Sequence, residues 1–213
     1  MLPTHAVVLA HPGFWIRDLD TGIDWVRLVA GEFDLTLHRP SPPGGTVTGR
    51  SKVVEIYDKG PGRGAAVRSR RILIDKAKGE EITTIRQSTF CRAGDGFGGP
   101  SRQQSKPHQM PERVPDLVCD LPTSAQGALI YRLSGDFNQL HADPPPPVAA
   151  KAGFPTPILH GLAMLGVAGS NCNENGVGTG RTSLLYELIC KGCRATLMQR
   201  RFSPGIAAAA RHQ

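Results

Sequence analysis

"YRLSGDFNQLHADPPPPVAAKAGFPTPILHGLAMLGVAG", residues 131–169, joins a polar turn to an apolar run with small residues. Its first part, "GDFNQLH" (135–141), places a carboxylate (Asp136), an amide (Asn138) and an imidazole (His141) within a few residues. On one continuous helix Asp136 and His141 would lie about 140° apart and share no face. They converge only if Asp136 sits in a turn and His141 in the first turn of the helix that follows. Gly135 frees the backbone for such a turn, and Asp136 suits a place near the cap. Histidine titrates near neutrality, and a neighbouring carboxylate tunes it, so the pair suits acid–base work. A cap beside an exposed histidine is the plainer reading of these residues alone. The second part, "PILHGLAMLG" (157–166), sets His160 and Gly161 at the start of a helix. Free backbone amides and the positive end of the helix dipole there suit a developing oxyanion. Leu159, Leu162, Ala163 and Gly166 fall at helical spacing, and the glycines point to close packing.

Upstream, residues 31–93 read as about four strands with short turns, an antiparallel meander. Phe33, Leu35 and Leu37 alternate, and "EEITTIRQSTFCR" alternates only imperfectly but is rich in β-branched residues. Residues 94–116 are polar, rich in glycine and proline, and read as a linker. A second unit begins near Leu117, with a strand expected over Ala128–Leu133. After Ser170 the pattern changes: "NCNENGVGTGRTS" is polar, "LLYELIC" is a short apolar run, and "FSPGIAAAARHQ" shows no element. The proline run after Asp143 should be extended.

Composition narrows the class. The 213 residues are 39% hydrophobic and 20% charged, a globular balance. No window approaches the length of a transmembrane helix, and the start lacks a signal-peptide pattern. Five cysteines at irregular spacing argue for reduced thiols and the cytoplasm; Cys190 and Cys193 form a C-x-x-C without metal-ligand partners at the usual spacing. No metal is expected. The net charge of +7 is concentrated at the end of the chain: residues 172–213 hold six basic and two acidic side chains. No basic stripe interleaved with aromatics runs through the body, so nucleic acid is not expected as a partner.

Taken whole, residues 131–169 resemble the signature of the (R)-specific enoyl-CoA hydratases, the hydratase 2 or MaoC-like dehydratase family: S/T-G-D-x-N-P-L-H-x-D-P, then A-G-F, then P-I-L-H-G. "AVVLAHPGFW", "GIDWVRLVAGE", "IYDKGPG" and "GDGFGG" resemble blocks of the degenerate first domain of its two-domain form. The resemblance spans roughly residues 4–170. It implies an α+β hot-dog fold in two tandem units, each an antiparallel sheet around a central helix: an N-terminal unit over 1–93, a linker over 94–116, a catalytic unit over 117–170 with 157–169 as its helix, and a divergent basic tail over 171–213. It implies reversible hydration of a trans-2-enoyl-CoA to a (3R)-3-hydroxyacyl-CoA. Asp136 and His141 share the proton work, one on the water and one at the α-carbon. Asn138 holds them in register, and the Gly161 amide is the oxyanion donor. Gly31, Lys59 and His160 are the implied substrate contacts. No cofactor is required, since coenzyme A belongs to the acyl-CoA substrate. A homodimer in the cytoplasm is the expected state, with the peroxisome as alternative compartment.

The chain departs from the family pattern in four places. Gln139 stands where the family has proline, Ala30 where it commonly has histidine, and the proline loop carries about two extra residues. Few residues follow Ser170, and they do not alternate as the family's long strands do, so the second unit is expected to be incomplete. A non-catalytic acyl-CoA-binding or dimerisation module is therefore the competing expectation.

Overall fold

The computed structural model describes residues 2–18, 20–101, 117–122, 124–142, 147–174, 183–188, 194–202 and 205–211. Four long strands form the first unit: β1 (Leu28–Leu37), β2 (Val47–Asp58), β3 (Ala65–Asp75) and β4 (Glu81–Cys91). The expected strands are present, but they are not a simple meander. β2, β3 and β4 pair in sequence order, whereas β1 pairs antiparallel with β4 instead of β2. The long Pro/Gly segment after β1 carries the chain across the sheet, which a tight hairpin turn would not allow. The broken alternation of β4 has a cause in its central place. Ile82, Thr83, Thr84 and Ile85 are all buried, and Thr84 Oγ1 meets His38 Nε2 at 2.8 Å on the second face.

The stretch Ala128–Leu133 is not a strand. Gly127–Arg132 forms a helix, α2, because a short apolar run carries no decisive period and Ala, Leu and Arg favour helix. It is followed by the short helices α3 (Gln139–Ala142) and α4 (Pro147–Lys151). The main helix, α5, runs Gly161–Glu174 rather than 157–169. Pro155 and Pro157 hold the preceding residues out of helix. The proline run at 144–146 and the Cys190/Cys193 pair lie outside the described residues.

The end of the chain departs most from expectation. β5 (Leu117–Pro122), β6 (Ser183–Leu188), β7 (Arg194–Phe202) and β8 (Gly205–Arg211) form a second set of strands. β6 pairs with β1, and the whole is one eight-stranded sheet in the order β2-β3-β4-β1-β6-β8-β7-β5. All pairs are antiparallel except β6–β8. The described residues after Ser170 thus form the end of α5 and three strands, where no element was expected. An alanine run such as Ala207–Ala210 has no alternation to read, and its strand is defined by pairing on both sides.

The core joins the units. Leu165 of α5 packs with Leu35, Leu73 and Ile85 of the first sheet and with Ala6 and Val7 of the N-terminal 3-10 turn. Gly169 makes that approach feasible: a Cβ there would lie 2.4 Å from Thr4 Cγ2.

Candidate functional site

Asp136 lies in the turn after α2, with Gly135 at φ +105°, a conformation that favours glycine. Two successive side-chain turns build the segment. Asn138 N donates to Asp136 Oδ1 at 3.2 Å, and Leu140 N donates to Asn138 Oδ1 at 3.2 Å. Asn138, not Asp136, therefore occupies the cap of α3, and Asp136 keeps its Oδ2 for other contacts. The turn brings Asp136 toward the histidines, as the spacing required. Its side chain is 38% exposed, and its Oδ2 lies 3.9 Å from Nε2 of His160.

His141 follows in α3. Its Nδ1 lies 2.8 Å from the Ile158 carbonyl oxygen. A carbonyl only accepts, so Nδ1 carries the proton and the neutral ring keeps its lone pair on Nε2. Burial pushes the His141 pKa below the ordinary value, while the Ile158 contact and Asp136 oppose that shift. His160 is fully buried, its ring 4.0 Å from that of His141 and 4.6 Å from that of Tyr131. Burial and then His141 lower its pKa, so both rings are neutral near pH 7. Neither His160 nitrogen has a hydrogen-bond partner among the described residues.

Gly161 opens α5, so no carbonyl a turn earlier in that helix takes its amide. A Cβ at Gly161 would meet nothing within 4 Å, so the space beside this backbone is open.

These groups line one cavity of about 660 Å³ between the first sheet and α5. Asp136, Asn138, His141, His160 and Gly161 form one wall, and Gly31 of β1 lies on another beside Ala30. Phe14, Trp15, Val67 and Leu162 supply apolar surface. Lys59 is not brought to the cavity; its Nζ sits 4.4 Å from the Phe90 ring centroid in the β2–β3 turn region. Three features of the site were not read from the sequence. His11 lines the cavity from the N-terminal segment, and Arg71 lines it from β3. Arg92, just past β4, donates to the Ala152 carbonyl at 2.7 Å and lies over Phe154, so it fixes the A-G-F segment that borders the site. The only signal for Arg71 was a cation within a stretch that reads as a strand.

Among the described residues no cluster of His, Cys, Asp or Glu is arranged to hold a metal ion. No helix among them is long and apolar enough to cross a membrane.

Comparison with known proteins identifies both parts of the chain. Residues 1–93 match the MFE-2 hydratase 2 N-terminal domain, and residues 106–185 match the MaoC like domain. The chain is 38% identical over 169 residues to a 3-hydroxyacyl-thioester dehydratase Y of Mycobacterium tuberculosis, covering 79% of this chain and 58% of that protein. It is 37% identical over 182 residues to a probable enoyl-CoA hydratase 2 of Dictyostelium discoideum, covering 82% and 60%. The crystal structure of a MaoC-like dehydratase from Phytophthora capsici superposes with a TM-score of 0.68 at 30% identity, over 84% of this chain and 63% of that one. The chain spans about three-fifths of the length of these curated relatives. With both halves matched and the hot-dog architecture shared, the chain belongs to the MaoC-like dehydratase family, carrying a hydratase 2 N-terminal domain ahead of its MaoC-like domain.

Proposed function

We propose that the cavity binds a trans-2-enoyl-CoA and adds water across its double bond, reversibly, to give a (3R)-3-hydroxyacyl-CoA. The observation that carries this reading is the convergence of Asp136, His141 and the open amide of Gly161 on one cavity wall. The Gly161 amide, at the positive end of α5, donates to the thioester oxygen as negative charge develops there. Neutral His141 takes a proton from water at Nε2 while the hydroxyl adds to C3. The imidazolium so formed is favoured by the nearby Asp136 carboxylate, and the proton then passes to C2, closing the balance. Asp136 thus stabilises and orients in this scheme, and Asn138 holds the turn that presents it. His160 walls the site with its neutral ring. The two domains act together, since Gly31 and Phe14 of the first face the reacting groups of the second. The units divide as 1–93, 94–116 and 117 onward in this reading, and a homodimer in the cytoplasm, with the peroxisome as alternative, is the state we assign.

The test is incubation with crotonyl-CoA and trans-2-octenoyl-CoA, followed by the absorbance of the conjugated thioester. Loss of that absorbance with a (3R) product is the expected result. A folded protein that binds the thioesters and leaves them unchanged is instead the binding module.

A further inference from the structure

Arg71 is 6% exposed, on the cavity side of β3. Residues two apart on a strand share a face, and the register places Arg71 opposite Ser51 of β2 and Ile85 of β4. The neighbouring row on that face pairs Ser69 with Gln87. All five line the cavity. The inner face of β3 thus runs apolar at Ala65 and Val67, polar at Ser69 and Arg71, and apolar again at Leu73. The guanidinium donates one Nη2 hydrogen bond to the Val7 carbonyl, and its Nε has no partner among the described residues. Burial pulls its pKa down, and no carboxylate among the described residues opposes that. A cation out of water and without a counter-charge is costly to keep, and an anion bound beside it removes much of that cost.

We infer that Arg71, with Ser51, Ser69 and Gln87, forms a subsite for a carboxylate at the far end of the acyl chain, so that the preferred substrates are thioesters of dicarboxylic acids. This rests on the acyl-CoA reading above and names its substrate class. Two kinds of anion occur on such a ligand, the coenzyme A phosphates and an acyl carboxylate. The carboxylate is favoured because Arg71 is buried on the cavity side and its strand neighbours Leu73 and Ile85 belong to an apolar cluster with Leu165, surroundings that suit an acyl chain rather than a hydrated nucleotide. Leu165 is one turn beyond Gly161 on α5, about 6 Å further along the helix axis, so an acyl chain laid along α5 from the oxyanion donor leads toward the apolar cluster beside β3.

Calorimetric binding to the full chain tests this without requiring turnover. The probes are octanedioyl-CoA, its ω-methyl ester, octanoyl-CoA and free coenzyme A, each with wild type and Arg71→Met. Wild type should bind octanedioyl-CoA at least about tenfold more tightly than the methyl ester, the worth of one charge-assisted contact. Arg71→Met should abolish that preference and leave octanoyl-CoA and free coenzyme A within about twofold of wild type. Equal binding of acid and ester by wild type overturns the proposal, and this comparison needs no variant. A matching loss for free coenzyme A assigns Arg71 to a phosphate and also overturns it. Crotonyl-CoA turnover judges the hydratase reading separately, because its four-carbon chain has no distal carboxylate.

Discussion

The hydrogen bond from His141 Nδ1 to the Ile158 carbonyl decides what that imidazole can do. It fixes the tautomer, and burial keeps the ring neutral. As the proposed base, it would therefore act until the pH falls through a pKa below the ordinary 6.5. The pH profile of kcat/KM should show its acidic limb below that value and stay level from there to neutrality. An acidic limb above pH 7 would assign the base elsewhere. His141→Ala should lower kcat by about 10²–10⁴-fold, the usual worth of a positioned base, with an unchanged circular dichroism spectrum. At this scale the sequence was informative. The requirement that Asp136 sit in a turn and His141 in the next helical turn follows from helix geometry alone, and the structure meets it. Asp136 was read as near the cap, and the structure puts Asn138, two residues on, in the cap itself, because Asp and Asn are equivalent cap formers on paper and only the backbone path separates them. Arg71 was missed for a related reason: a strand cation is usually on the solvent face, and register decides the face.

At the scale of elements, two devices hold the site in place. The first is the contact of α5 with the N-terminal turn. Gly169→Val would drive its side chain into Thr4, which is buried, and should destabilise by about 1–3 kcal/mol as core overpacking does, read as a lower Tm. The second is Asp58. Its Oδ1 accepts from Gly60 N at 2.9 Å, and its Oδ2 accepts from Gly96 N at 3.0 Å and Gly98 N at 3.1 Å. It ties the "YDKGPG" turn to the "GDGFGG" loop, which explains why those blocks stand out in the sequence. The amides hold its pKa below the ordinary carboxylate value, with the Gly60 contact the largest cause. The stability it contributes is therefore fully present above about pH 4 and is lost as the pH falls through the depressed folded value. Asp58→Asn should lower Tm at neutral pH and flatten its decline between neutrality and the acid range, in melts across a pH series. The elements read least well were α2 and the strands after α5. In both, short apolar or alanine-rich runs lack a period; helix propensity decides α2, and pairing partners decide the strands.

For the whole molecule, the shared core and the β1–β6 pairing join the two family domains. Leu165, from the second, is 3% exposed among residues of the first. Leu165→Ala should cost about 2–5 kcal/mol and shift a single thermal transition rather than split it in two. The fold class was legible because 131–169 resembles a long and specific family signature, and the family implies the fold. The sheet order was not, since nothing local in β1 marks β4 as its neighbour.

The central claim is that Asp136 and His141 form a working acid–base site beside the Gly161 amide. The most direct measurement is the rate of trans-2-octenoyl-CoA hydration by wild type, Asp136→Asn and His141→Ala at pH 7. The account predicts turnover by wild type and a loss of at least about 10²-fold in each variant, with all three equally folded. Turnover that survives both substitutions would contradict it, as would a folded wild type that binds the thioester and never hydrates it.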